Sequence, residues 1–143
     1  MQIVIPDASV ILKWAFDSPD EHDRDSATSF LNAWLEGKVE IVLPKLWSFE
    51  VANILGLKKP KQAAEIMDIF IGYSFNEYDM TAELCRKSLE LMKRYGVTFY
   101  DAVYHAVAVL KGGTLLTADE SYCAKVKDLS NLVRLSEWKK KLL

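Results

Sequence analysis

Four acids in this 143-residue chain stand where surface carboxylates do not ordinarily stand. Asp7 directly follows the apolar triplet Ile3-Val4-Ile5, and Asp119 comes just after Leu115-Leu116-Thr117. Glu50 lies in a stretch that is apolar nearly all round, with Leu46, Trp47, Asn53 and Ile54 at helical spacing and no base among them. Asp101 falls in the first turn of another apolar helix, with Val97, Thr98, Tyr104 and His105 at the same spacings. A carboxylate in such surroundings is costly unless its charge is compensated. The means are a distant Lys or Arg, protonation, or a bound cation. Four misplaced acids on successive elements favour one shared cation. Oxygen donors without a companion His/Cys cluster point to one or two Mg²⁺ or Mn²⁺ ions rather than zinc. Such ions polarise phosphoryl oxygens and lower the pKa of an attacking water, so the chemistry indicated is phosphate chemistry. No Walker-type or Rossmann glycine loop is present, so no residues are assigned to a nucleotide cofactor. For Asp101 there is also a purely structural account, because an acid suits a helix N-terminus whatever its function.

The elements that must position these acids are short. Ile3 to Ile5, Glu40 to Leu43, residues 74–79, Thr114 to Thr117 and Leu132 to Leu135 read as strands. Helices are expected through Val10 to Trp14, Ala27 to Leu35, 46–57, from Pro60 through Ile71, 81–95, from Thr98 to Leu110, from about Glu120, and around Trp138. Residues 17–25 read as a polar loop. Helix 46–57, apolar on every side, is expected to be buried on more than one face. The wide stripe Ala63 to Ile71 is either deeply packed or a partner surface. Strands alternating with helices predict an α/β fold, a three-layer α/β/α sandwich with a mostly parallel central sheet spanning residues 1–143 as one domain. Ligands of such sheets bind outside the strand carboxyl ends, which is where Asp7 and Asp119 fall.

Half of the residues are hydrophobic and 27% charged, the composition of an ordinary globular domain. No apolar run is long enough for a membrane span, and the first residues lack a basic leader, so a cytoplasmic protein is expected. Cys85 and Cys123 have no partners at zinc spacing and read as small packed residues. A net charge of −2 argues against a broad nucleic-acid coat, although Lys58, Lys59 and Lys61, or Lys139, Lys140 and Lys141, are candidate local strips. Glu83–Lys87, Glu90–Arg94 and Glu137–Lys141 have the spacing of surface helical pairs. His105, one turn from Asp101, reads as a packed side chain outside the site. Trp14, Trp47 and Tyr100 are placed to stack on bases, but their apolar helical faces favour core packing.

At these acids the chain resembles the PIN-domain nucleases, and among them the VapC toxins of toxin–antitoxin pairs. The matching stretches are Ile5-Pro6-Asp7-Ala8-Ser9 with Lys13-Trp14, Pro44 to Asn53, Thr98 to Tyr104, and Leu115-Leu116-Thr117-Ala118-Asp119. The resemblance covers almost the whole chain, from residue 3 to about 135. The resemblance implies an endoribonuclease that uses Mg²⁺ or Mn²⁺ for water attack on RNA phosphodiesters, forms homodimers and is inhibited by an antitoxin. It makes Asp7 and Asp101 the firmest metal ligands, with Asp119 acting directly or through water. Glu50 is a further ligand or positions the attacking water, and as general base it needs a raised pKa. Ser9, Asn53 and Thr117 occupy positions of supporting hydrogen-bond partners; Ser9 and Thr117 equally suit turns or caps. Asn53, an amide within an apolar helix, needs a partner.

Two other enzymes on similar topologies fit less well. A haloacid-dehalogenase-type phosphatase wants an acid where Ser9 stands, and a response-regulator receiver wants an acidic pair near the first strand and a late lysine. A binding module of the same fold without catalysis is the alternative of a different class. The presence of all four acids weighs against it.

Overall fold

The short apolar runs become strands, as their spacing predicts. In the computed structural model, which describes residues 1–16 and 23–143, β1 (Ile3–Pro6), β2 (Glu40–Pro44), β3 (Asn76–Tyr78), β4 (Thr114–Thr117) and β5 (Leu132–Arg134) form one sheet. Every pairing is parallel and the strand order is β3-β2-β1-β4-β5. Covered on both faces, a parallel sheet has no polar side, and Val4, Ile5, Ile41, Val42, Leu43, Leu115 and Leu116 are all buried.

Between the strands run α1 (Ala8–Lys13), α2 (Arg24–Leu35), α3 (Trp47–Lys58), α4 (Ala63–Gly72), α5 (Ala82–Tyr95), α6 (Phe99–Lys111) and α7 (Glu120–Lys125). A 3₁₀ turn (Leu135–Glu137) and α8 (Trp138–Leu142) follow β5. The chain moves outward from β1 through β2 to β3, then returns past β1 to β4. With right-handed crossovers, the helices of the outward path cover one face and those of the return path the other. On the return path α6 packs against β1, β2 and β4, and α5 packs on α6. The strand order reverses between β1 and β4, so a crevice opens at their carboxyl ends.

Local chemistry sets the helix ends. Thr98 caps α6 by accepting from Asp101 N at 3.2 Å, as its position predicts. Gly96 (φ 65°) closes α5 in the left-handed conformation. At Gly113, which turns α6 into β4, an added Cβ would stand 2.7 Å from the Ile3 carbonyl oxygen and 3.0 Å from side-chain atoms of Ile3 and Ile5. Backbone cannot yield there without disturbing the β1–β4 pair. Gly113→Ala is therefore expected to destabilise the fold by about 1–3 kcal/mol, read by urea denaturation.

The structure departs from the sequence reading in several places. In α3 only Trp47, Val51 and Leu55 are buried; Phe49 and Leu57 are more than three-quarters exposed. The helix is buried along one stripe and carries a second apolar face into solvent. In α4, which begins at Ala63 after a turn rather than at Pro60, Met67 and Phe70 are buried while Ile69 and Ile71 are exposed. The stripe is thus divided between packing and surface. Residues 17–22 of the expected loop lie outside the described residues; Asp23 is in a turn and α2 already starts at Arg24. Of the helical charge pairs, Glu137–Lys141 forms at 2.8 Å, but Arg94 reaches Asp128 and Lys87 reaches Glu90 instead. Both alternatives are available because exposed long side chains choose among near-equal partners. Cys123 is buried and Cys85 half-buried on their helices, as expected.

Candidate active site

Each of the four acids begins a helix. Asp7 is the N-cap of α1, its Oδ1 accepting from Ser9 N at 3.0 Å and Val10 N at 3.4 Å. Its own N–H donates to the Leu116 carbonyl at 3.0 Å, fastening the end of β1 to β4. Asp119 is the N-cap of α7, accepting from Tyr122 N at 3.0 Å. Glu50 and Asp101 lie in the first turns of α3 and α6. Acids at these positions meet the positive ends of the helices, which offsets part of the cost of gathering them.

Ser9 and Thr117 join the two strand ends. The Ser9 hydroxyl donates to Asp7 Oδ1 and accepts from Ala118 N at 3.0 Å. Thr117 Oγ1 lies 3.4 Å from Ser9 Oγ and accepts from Asp119 N at 3.0 Å. The turn after β1 and the turn after β4 are thereby held in one hydrogen-bonded unit, with Asp7 and Asp119 at its two ends. Asn53 lies apart. It is on the exposed side of α3 and takes no hydrogen bond with any of the four acids. The need for an internal partner lapses because its amide meets water.

The electrostatics connect all four carboxylates. Burial pushes the Asp7 carboxyl up to about 6, against the bonds from Ser9, Thr117 and Val10, and the charge of Asp101 adds to the rise. Glu50 is raised by burial, opposed by a bond from Tyr104, with Asp101 again adding. Asp101 is raised by partial burial and then by Asp119; Thr98 and Lys125 oppose. Asp101 is therefore the member that feels, or is felt by, each of the others. Among the described residues, none of the four forms an ion pair with a Lys or Arg. Of the three compensations, a base acts only at a distance, through Lys125 on Asp101.

The donor set is four carboxylates with the Ser9 and Thr117 hydroxyls beside them. This all-oxygen chemistry fits a hard cation. Among the described residues, however, no three Asp, Glu, His or Cys side chains converge closely enough to hold an ion as they stand. An ion drawing on three of the acids needs their side chains to turn inward.

Tyr104 is a site residue that sequence reasoning missed. Its hydroxyl donates to Glu50 Oε1 at 2.8 Å, joining α6 to α3. The partners are 54 residues apart, so no local pattern signals the contact. Removing a buried hydroxyl bonded to a carboxylate costs about 1–2 kcal/mol. Tyr104→Phe is expected to lose that much in urea denaturation and to raise the Glu50 carboxyl further, which ¹³C NMR titration reads. His105 lies outside the site, as expected: it is fully buried, with Nδ1 2.6 Å from the Tyr122 hydroxyl and Nε2 3.1 Å from Asn131 Oδ1. Trp47 is buried and donates to Glu77 at 2.7 Å, and Trp14 packs against Phe70 and Phe75. Tyr100 departs from the expected core packing: it is 60% exposed beside Asp101.

Known proteins share this fold. The profile of the PIN domain family matches residues 4–128. Ribonuclease VapC3 of Pyrobaculum aerophilum is 31% identical over 135 residues, which cover 87% of this chain and 95% of that protein. A toxin–antitoxin complex from Klebsiella pneumoniae contains a chain that superposes with a TM-score of 0.68 at 20% identity, over 92% of this chain and 97% of that one. VapBC2 from Rickettsia felis, bound to a DNA fragment from its promoter, gives a TM-score of 0.67 at 20% identity, over 92% and 96%. These two likenesses establish the fold, while the profile and the sequence identity establish the family. This chain belongs to the PIN domain family and is a homologue of the VapC ribonucleases.

Proposed function

We propose that the chain is a divalent-metal-dependent endoribonuclease and the toxin of a toxin–antitoxin pair. One observation supports the reading: four carboxylates from separate elements on the strand-end side of the sheet are electrostatically coupled, and among the described residues none of them forms an ion pair with a Lys or Arg. The relative named Ribonuclease VapC3 supports it.

Asp7, Asp101, Asp119 and Glu50 are the residues that hold Mg²⁺ or Mn²⁺, one or two ions. Bound there, the metal supplies an activated water and charge to stabilise the leaving oxygen. Asp7 and Asp119 stand on the rigid strand-end unit that Ser9 and Thr117 tie together, which suits ligands whose spacing matters. Tyr104 occupies Glu50 Oε1 and leaves Oε2 to orient the water or take its proton. The raised pKa of Glu50 brings it closer to that task.

Labelled structured RNA incubated with and without Mg²⁺ or Mn²⁺, beside the Asp7→Asn/Asp101→Asn variant, tests the reading. Metal-dependent cleavage that is absent from the variant is the expected result. With a net charge of −2, RNA binding is expected to weaken steeply with salt. One observation supports a competing reading, a PIN-fold module that binds RNA or protein without catalysis: among the described residues no three acids converge as they stand. Absence of both cleavage and calorimetric metal binding selects it.

The partner in this reading is an antitoxin, as in the toxin–antitoxin complexes of similar fold. The protein acts in the cytoplasm as a homodimer. The exposed Ile69 and Ile71 of α4, rather than Ile66 or the buried Phe70, are the side chains available to another chain. Among the described residues no helix is long and apolar enough to cross a membrane.

A further inference from the structure

Beside the acid cluster lies a cleft that the metal chemistry leaves unused. It measures about 430 Å³ and is lined by Leu46, Phe49, Glu50, Asn53, Ile54 and Tyr100. That volume falls within the range of small-ligand sites, roughly 300–1,000 Å³. Phe49 from α3 is 78% exposed and Tyr100 from α6 is 60% exposed, although each sits on a helix whose other face fills the core. Exposed aromatics cost solubility unless something covers them.

The chemistry of the lining selects the occupant. No Lys or Arg lines the cleft, and its one charge is the Glu50 carboxylate, so it does not suit a phosphate. Two aromatic rings suit a flat neutral ring, which every nucleobase presents. The exposed Asn53 amide offers one donor and one acceptor, the complement of a base edge. Glu50 belongs both to this cleft and to the acid cluster, so a base held here is next to the phosphate under attack.

We propose that the cleft between α3 and α6 is a nucleobase subsite, in which a base flanking the scissile phosphate packs on Phe49 and Tyr100 and Asn53 reads its edge. The inference rests on the ribonuclease reading, and it gives the active site its sequence preference.

Neutral nucleosides probe the cleft without phosphate, metal or cleavage. Saturation-transfer NMR with adenosine, guanosine, cytidine and uridine is expected to show binding to the wild type, with unequal strength among the four. Phe49→Ala and Tyr100→Ala are expected to weaken that binding roughly 5- to 100-fold, the range for loss of one stacked base. Asn53→Ala is expected to even out the four nucleosides. In RNA cleavage, Phe49→Ala should raise KM with little change in kcat. Both aromatics are exposed, so unchanged circular dichroism and thermal midpoints check that the variants fold. No nucleoside signal, or a signal that neither aromatic substitution alters, overturns the proposal even where RNA is cleaved. A dimer that dissociates on Phe49→Ala or Tyr100→Ala while nucleoside binding stays unchanged also overturns it, and assigns the face to a second copy of the chain. Nucleoside binding lost in both variants, without any RNA cleavage by the wild type, keeps the pocket and removes the nuclease.

Discussion

Asp7→Asn is expected to make the metal-free protein more stable at pH 7 and at the same time to reduce RNA cleavage by on the order of 10²–10³-fold or more. The two effects have one cause. Asp7 titrates near 3.8 when exposed, and burial raises it to about 6 in the folded protein. Between those values the unfolded chain releases a proton that the folded chain keeps. Stability therefore falls as pH rises through this window, and above about 6 the full cost is present. For a half-buried carboxyl that cost is about 1–3 kcal/mol, or about 3–10 °C in the thermal midpoint of a chain this size. Asparagine keeps the Oδ1 acceptor for the Ser9 and Val10 N–H groups and removes the charge. Thermal unfolding in EDTA from pH 4 to 8 should show the variant gaining on the wild type as pH rises. A variant less stable at pH 7 would mean that the buried carboxylate already has a compensating partner.

The second large effect is expected at a residue with no part in the chemistry. His105→Ala should destabilise the protein by about 2–4 kcal/mol, through a cavity in the core and a buried Tyr122 hydroxyl left without its partner. His105 bridges the Tyr122 hydroxyl on α7 and the half-buried Asn131 before β5, and the Tyr122 contact is buried away from water. Burial lowers the imidazole pKa, so the folded protein holds it neutral. As pH falls through the ordinary value of 6.5, the unfolded chain takes up a proton that the folded one refuses, and stability is lost toward acid. His105 and Asp7 thus act in opposite directions: falling pH below 6.5 withdraws stability through His105, while falling pH below about 6 restores it through Asp7. Urea titrations at pH 5 and pH 8 check this. The His105→Ala deficit should be smaller at pH 5, because the wild type loses its own advantage there. Tyr122 N–H also donates to Asp119 Oδ1, so the same substitution is expected to loosen the proposed metal ligand Asp119 without touching it.

The architecture is legible because a parallel sheet writes itself as apolar runs separated by helical periods; β3 (Asn76–Tyr78), polar and largely exposed at the sheet edge, is the exception and lies within an expected strand that has no such run. Asp7 and Asp119 were legible for the same reason: a polar residue at the end of an apolar run lies at a strand terminus. Glu50 was singled out for apolar neighbours, yet part of that surrounding surface faces solvent. Hydropathy records that Phe49 and Leu57 are apolar and is silent on what covers them. For Tyr100, the same ambiguity concealed a wall of the cleft. The Tyr104–Glu50 bond and the His105–Tyr122–Asn131 bridge were illegible because they join residues far apart in sequence, and only the packing of α6 against its neighbours creates them.

Under the proposed function, the strand order also bears on when the site first exists during synthesis. Asp7 lies at the start of the chain, but its place beside Asp119 exists only after β4 has paired with β1. A ribosome that has not yet released Thr114–Thr117 has therefore made no site, however well β1, β2 and β3 have assembled. Proteolytic fragments ending before β4 should likewise be harmless. Synthesis of such a chain takes on the order of ten seconds, and an inhibitor has nearly all of that time to arrive before there is anything to inhibit.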